Sequence, residues 1–304
     1  MEDKNMARQK KILLDNALVS WVNAIRYCDQ ILAGKITLEV KKNFISSLHN
    51  AVELFLKQIM LDNCDYRVAE PRKVEADGEP AKAFYAATDL NAYFEHLDSD
   101  TRNKFMSTEF SSLIENHKKL LASFLQSNTP FTNELRLLNR LRNNETHFYI
   151  GWDEYLTESE FCMLHNFMVT FYQVLHDYSL LPFWGEPDAE HSRLSFERTP
   201  KKTFSYKNAI RNSSTAKAIQ AAADGMVFED YGPFTVYEMT SAIASEIPDI
   251  PFDEIWAYVE VLDQLGMIEL VQTGEAEYDN PEYGHDYCAP PTITRVELEI
   301  QVTL

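Results

Sequence analysis

Apolar residues recur at three- and four-residue steps through most of the first 180 positions, the spacing of a helix with one buried face. Ile12, Leu13, Leu18, Val19, Val22, Ile25 and Ile31 predict a helix over residues 8–33, with Gly34 as its stop. Thr37 is the expected N-cap of a longer helix over 37–62, whose stripe runs Val40, Phe44, Ile45, Leu48, Val52, Phe55, Leu56, Ile59 and Met60. The other face of that helix carries His49, Glu53 and Lys57 at steps of four. Such a ladder is either functional or an ordinary solvated or intersubunit face. Pro71, Gly78 and Pro80 interrupt the pattern, so 63–82 reads as a loop. Helices are expected again over 84–97 and 109–126, and from about 132, where Thr129-Pro130 and Thr132 signal a start. Thr157-Glu-Ser-Glu160 has the form of a capping box and opens an apolar helix to about 180. Tyr149, Trp152, Tyr155, Phe161, Phe167, Phe171 and Tyr172 are most economically core. Short connections between helices predict an antiparallel, all-helical bundle.

From 182 onward the pattern changes. Pro182, Gly185, Pro187 and Pro200 among scattered charges make 182–212 the expected linker, with a basic run at Arg198, Lys201, Lys202, Lys207 and Arg211. Three helices follow, over Ser213 to Asp224, from Phe234, and over Phe252 to Leu265 with Gly266 closing the last. Met267 to Val271 and Thr292 to Val302 then read as two strands of a hairpin. This order resembles a winged helix. The expected architecture is therefore mainly α: a helical bundle over 1–181, the linker, and a small α+β winged-helix-like domain over 213–304.

Charge changes what that second domain is expected to do. The 304 residues carry a net charge of −19, with 28 Lys+Arg against 47 Asp+Glu. Residues 1–185 hold 20 of the basic and 25 of the acidic residues, leaving 8 against 22 for the rest. The expected recognition helix has no Lys or Arg, and the wing carries Glu275, Glu277, Asp279, Glu282 and Asp286. A helix in the major groove needs cations and base-reading amides. A protein-contact role fits this domain better than DNA binding, so a protein partner or antitoxin is expected there. Cys28, Cys64, Cys162 and Cys288 are far apart and show no metal-type spacing, as in a reduced cytoplasmic protein. The opening MEDKNMARQKK has no apolar signal core, and no apolar run approaches the ~18–20 residues that cross a bilayer, so no membrane partner is expected.

The chemistry is concentrated in Arg136-Leu-Leu-Asn-Arg140-Leu-Arg142-Asn143-Asn144-Glu145-Thr146-His147. Arginine offers a permanent forked charge for phosphate oxygens, and histidine moves protons near neutral pH. On a straight helix five residues turn the chain by about 500°, leaving Arg142 and His147 roughly 140° apart. They converge only if the backbone breaks near Asn143-Asn144 or if two copies of the segment face each other; the second arrangement is expected. The alternative is a solvated arginine face with His147 as a capping or structural residue. There is no Gly-rich phosphate loop, G-x-S-x-G or H-E-x-x-H.

A helical domain with Arg142-Asn143-x-x-x-His147 before its last long helix resembles the HEPN family. The segment Phe44 to Lys57 is also similar to that family's early helix. The likeness covers about residues 8–180. It implies a metal-independent endoribonuclease of toxin or antiphage type, needing no cofactor and built as a homodimer. Two Arg142/His147 sets would then line one cleft, with His147 as general base or acid and Arg142 stabilising phosphoryl charge. Asn143 would orient the histidine or the backbone, and Arg136, Arg140 and Asn144 would grip RNA. The competing readings are a catalytically silent module that binds a nucleotide or a protein, and a winged-helix transcription regulator.

Overall fold

The structure, a computed structural model, describes residues 11–72, 78–121, 131–147, 155–182, 201–214, 216–218, 221, 234–246, 252–271 and 292–296. Among these the chain is mainly helical, as expected. It divides into two compact units that interleave along the sequence. The first comprises residues 1–27, 42–149 and 160–202; the second comprises 28–41, 150–159 and 203–304. The sequence pattern predicts a sequential division at a linker. The difference arises because residues 28–41, the turn between the first two helices, belong with the C-terminal segment.

In the first unit, α1 (Leu14–Leu32, to Tyr27) and α2 (Leu38–Asp62, from Lys42) supply much of the core. Phe44, Ile45, Leu48, Ala51, Val52, Phe55 and Ile59 on α2 are wholly out of water. Burying each large side chain of this kind is worth about 1.5–3 kcal/mol. Trp21 of α1 meets Phe55 of α2 edge to face at 6.1 Å, and Phe171 of α8 (Glu158–Asp177) at the same distance. Gln58, fully buried, takes a hydrogen bond from the Leu13 amide and donates to Asp62 and Asn91. That network ties α2 to the start of α1 and to α4 (Leu90–His96).

Two expectations for this unit are corrected. The stretch 63–82 is not only loop: Tyr66–Val68 is a 3-10 turn, and Ala69–Pro71 forms strand β1. It pairs antiparallel with β2 (Phe105–Ser107), Ala69 opposite Ser107. Strands of three residues show no readable alternation, and their pairing partner lies far along the chain. The helix expected over 84–97 is two, α3 (Glu79–Ala86) and α4. The side chain of Asp89 accepts from the Ala92 amide and restarts the helix as an N-cap. A short α5 (Ser99–Arg102) precedes β2. α6 (Phe110–Leu120) and α7 (Thr132–His147) follow and pack on each other. α8 begins directly after Thr157, as the capping pattern predicts, and buries Phe161, Phe167 and Phe171. Tyr149 and Trp152 lie outside the described residues.

In the second unit the expected linker is partly built. Tyr206–Arg211 is a helix, α9, and Tyr206 and Ile210 are buried. Proline spacing suggested a connector, but Tyr206 is anchored: its hydroxyl donates to the Leu156 carbonyl, and its amide donates to Glu158. Lys41, without exposed surface, holds its ammonium 4.5 Å above the Tyr206 ring. Half of the expected Ser213–Asp224 helix falls outside the described residues. Phe234–Thr235, read as the start of a helix, is instead strand β3, and α10 (Val236–Glu246) begins just after it. α11 (Phe252–Gln264) leads to β4 (Ile268–Val271), and β5 (Thr292–Val296) pairs antiparallel with both β4 and β3. The sheet order β3-β5-β4 therefore has three strands where a two-stranded hairpin was expected. Residues 272–291, the acidic wing, and 297–304 are outside the described residues.

Helix ends follow one rule in both units. Gly34 at φ 89° donates to the Ile31 carbonyl while Lys35 donates to Gln30, a Schellman close to α1. Gly266, at φ 61°, closes α11 in the same way. Ser179 occupies the same conformation after α8 at φ 53°, where a Cβ is disfavoured. At Gly34 a Cβ would also stand 2.5 Å from the Ala209 carbonyl oxygen. Gly34→Ala should lower stability by about 2 kcal/mol or more, whereas Ser179→Gly should change it by no more than about 1 kcal/mol in the favourable direction. Urea titrations of both variants measure the contrast.

Candidate functional site

α7 carries the arginine-rich stretch and runs without interruption from Thr132 to His147. Leu135, Leu138 and Leu141 recur at three-residue steps and are nearly fully buried, with Leu137 beside them. That stripe fixes the helix's rotation. Arg136, Arg140 and Asn143 are exposed, while Asn139, Arg142 and Asn144 sit half-buried at the margin. The side chain of His147 lies outside the described residues. Because the helix does not break near Asn143-Asn144, the angle of roughly 140° between positions 142 and 147 stands. One chain does not bring those two positions onto one face.

The basic side chains differ in their surroundings. Arg140 is ion-paired with Glu160 near the start of α8, so part of its charge is already answered. Arg136 has no ion-pair partner among the described residues. Arg142 is half-buried, and its charge acts on His49 of α2.

His49 is the residue that sequence reasoning undervalued. Only 12% of its side chain is exposed. Its ring lies almost face-on to Phe110 of α6, with centroids 4.1 Å apart and 32° between planes. Nδ1 is 3.7 Å from Glu53 Oε2, and Asn139 of α7 hydrogen-bonds the ring. Glu53 is in turn paired with Lys57, whose ammonium also donates to Ser107 Oγ at 2.6 Å. Lys57 is 6% exposed, so the His49-Glu53-Lys57 ladder is an internal polar line and not a solvated face. Its four-residue spacing was visible in the sequence. Its burial, and the influence of Asn139 and Arg142 on His49, depend on tertiary packing.

Burial depresses the His49 pKa to about 4; Glu53 opposes the shift, Arg142 adds to it, the Asn139 hydrogen bond opposes it and Lys57 adds to it. The imidazole is therefore neutral at pH 7. The surroundings of His49 thus combine an uncharged imidazole with the carboxamide of Asn139 and the charge of Arg142. Those groups suit an anion with several oxygens. Among the described residues no three His, Cys, Asp or Glu side chains gather as a metal site would require. No described helix is long and apolar enough to cross a membrane. Cys28, Cys64 and Cys162 form no disulfide.

No protein family, curated protein or solved structure was found to match the chain.

The sign of a pH effect follows from His49. The folded state holds its proton less tightly than an unfolded histidine with its ordinary value near 6.5, so the unfolded chain binds more protons in acid. Stability contributed by the neutral, buried ring is full above about 6.5 and is lost as pH falls toward 4. His117, also buried and lowered mainly by burial, acts in the same direction. The loss traceable to His49 should be on the order of 2–3 kcal/mol. Denaturation midpoints of wild type and His49→Gln between pH 7.5 and 4.5 check it: the variant should show the shallower slope.

Proposed function

We propose that the first unit is a metal-independent endoribonuclease of the HEPN kind, acting as a homodimer. The observation that carries this reading is the unbroken α7, with Arg142 half-buried while Arg136 and Asn143 face solvent. A straight helix keeps Arg142 and His147 on different faces, so a joint site for both takes residues from two copies. In that site a ribose 2′-OH attacks the adjacent phosphorus. His147 moves the proton, Arg142 balances charge on the phosphoryl oxygens, and Asn143 orients the histidine or the backbone. Arg136, Arg140 and Asn144 grip the RNA backbone; Arg140 does so more weakly, because Glu160 shares its charge. Proton transfer of this type contributes ~10²–10⁴-fold to rate.

The second unit is read as a winged-helix-like module for contacting a protein partner, such as an antitoxin. Strand β3 before α10, then α11, then β4 and β5 with β5 central is the order that supports it. The sequence of α11, Phe-Asp-Glu-Ile-Trp-Ala-Tyr-Val-Glu-Val-Leu-Asp-Gln, contains no cation to meet a DNA phosphate. The acidic balance of the chain, −19, favours a second reading of the first unit, a silent module that binds a nucleotide or a protein.

Overexpression in a bacterial host separates the two. The nuclease reading predicts growth arrest and cellular RNA ends bearing 2′,3′-cyclic phosphate, with loss of ~10²-fold or more for His147→Ala and Arg142→Ala. Both variants should retain the wild-type thermal midpoint within a few degrees. Equal growth and identical RNA ends for wild type and His147→Ala would remove the enzyme and leave the binding module.

A further inference from the structure

A cavity of about 540 Å³ lies among the start of α1, α2, the β1–β2 pair and α4, away from the arginine stretch of α7. All the residues that line it belong to the first unit. Leu61, Val68, Ala69 and Phe94 are buried and give it an apolar floor, and Phe105 makes one wall. Those walls are pinned by bonds outside the cavity. The Ile12 amide donates to Asn91 and the Leu13 amide to Gln58, which fixes the approach to α1 against α4 and α2. Phe105 stands edge-on to Phe94 at 5.5 Å and packs on Phe84 at 5.3 Å. Close-packed protein interiors hold few gaps larger than a water molecule, so a void of this size is not ordinary packing. Its volume and apolar lining are those of a preformed small-molecule site.

The charges on the lining decide what kind of molecule fits. Lys57 is 6% exposed and uses two of its three N–H groups on Glu53 and Ser107, so its charge is already balanced. Arg102, on the exposed rim, is different. Its Nη2 donates to the carbonyls of Phe94 and Leu97, both at 3.0 Å, which fixes the plane of the guanidinium without neutralising it. Nε and Nη1 keep their donors, and no carboxylate pairs with Arg102 among the described residues. Glu95 shares the rim and the whole chain stands at −19, so a doubly charged head such as a phosphate monoester is repelled. A single carboxylate matches the guanidinium.

We propose that this cavity binds an aliphatic carboxylic acid of medium chain length, with the carboxylate on Arg102 at the rim and the alkyl chain along Phe94, Phe105 and Leu61. A cavity of 540 Å³ accommodates a chain of about eight to twelve carbons. The chain supplies most of the affinity, because each methylene withdrawn from water tightens binding by roughly fourfold. The head selects. A carboxylate takes a charge-assisted hydrogen bond from Arg102, an alcohol of equal length lacks the charge, and an alkylammonium is repelled. No residue of α7 takes part, so the site stands whether or not the arginine stretch is a nuclease.

Isothermal titration calorimetry of the full chain at pH 7.5 with sodium hexanoate, octanoate and decanoate, each below its micelle concentration, tests the assignment. Wild type should bind one molecule per chain, about fourfold tighter for each added methylene. It should bind 1-octanol at least about fivefold more weakly than octanoate, and Arg102→Gln should remove that preference while leaving 1-octanol binding unchanged. Leu54→Trp, which fills the cavity from a half-buried position on α2, should abolish binding of both. Absence of binding, uptake that does not saturate at one molecule per chain, or octanoate affinity untouched by either variant overturns the proposal. Should neither variant fold, the head groups decide on wild type: octanoate preferred over octylammonium upholds the site, and equal affinity overturns it.

Discussion

Lys57 lies on α2 with almost all of its side chain out of water, and Glu53 and Ser107 compensate its ammonium. Removing an ammonium from water costs several kcal/mol, so this compensation has to be kept in place by the surrounding fold. β2 supplies Ser107, and β2 is positioned by pairing with β1 and by Phe105 packing against Phe84, Tyr93 and Phe94. The short strand pair is therefore tied to the polar line within α2. Toward the other end of that line Glu53 faces His49, and His49 faces α7. An ion pair near β2 and the electrostatics of Arg142 thus belong to one connected arrangement.

α7 imposes the complementary constraint. Its leucine stripe at 135, 138 and 141 fixes which side faces inward, and nothing in its described backbone relaxes that choice. Once the rotation is set, Asn139 and Arg142 lie half-buried at its margin, while Arg136, Arg140 and Asn143 look outward. The outward set remains adaptable, and the Arg140–Glu160 pair shows how readily the protein's own carboxylates compete for it. Surplus acidity makes such competition general in this chain, so a ligand phosphate has to outbid neighbouring carboxylates at exposed arginines.

Local grammar was the legible part of the sequence. Thr37 caps α2 through its hydroxyl, Gly34 and Gly266 stop their helices, and the apolar stripes of α1, α2 and α8 mark buried faces. Each of those features depends on residues within a turn or two. Legibility failed where partners are distant: β1 finds β2 across some three dozen residues, and Tyr206 is held by Leu156 and Glu158. The site divides in the same way. The spacing of Arg142, Asn143 and His147 stood out by composition, and the His49-Glu53-Lys57 ladder by periodicity. That the charge of Arg142 reaches His49 is a tertiary effect, written in no single stretch of chain.

The interleaving of the two units has a consequence for how the gene can be divided. Residues 28–41 precede most of the first unit, yet Gly34 abuts Ala209, accepts a hydrogen bond from Tyr258, and is followed by Lys41 under Tyr206. Cutting the coding sequence near residue 202 would strip this early turn of its surroundings and bare a lysine that the intact protein keeps wholly dry. Neither half is therefore a natural module for exchange or fusion, and recombination would be tolerated poorly at the place where the prolines of the sequence invite it.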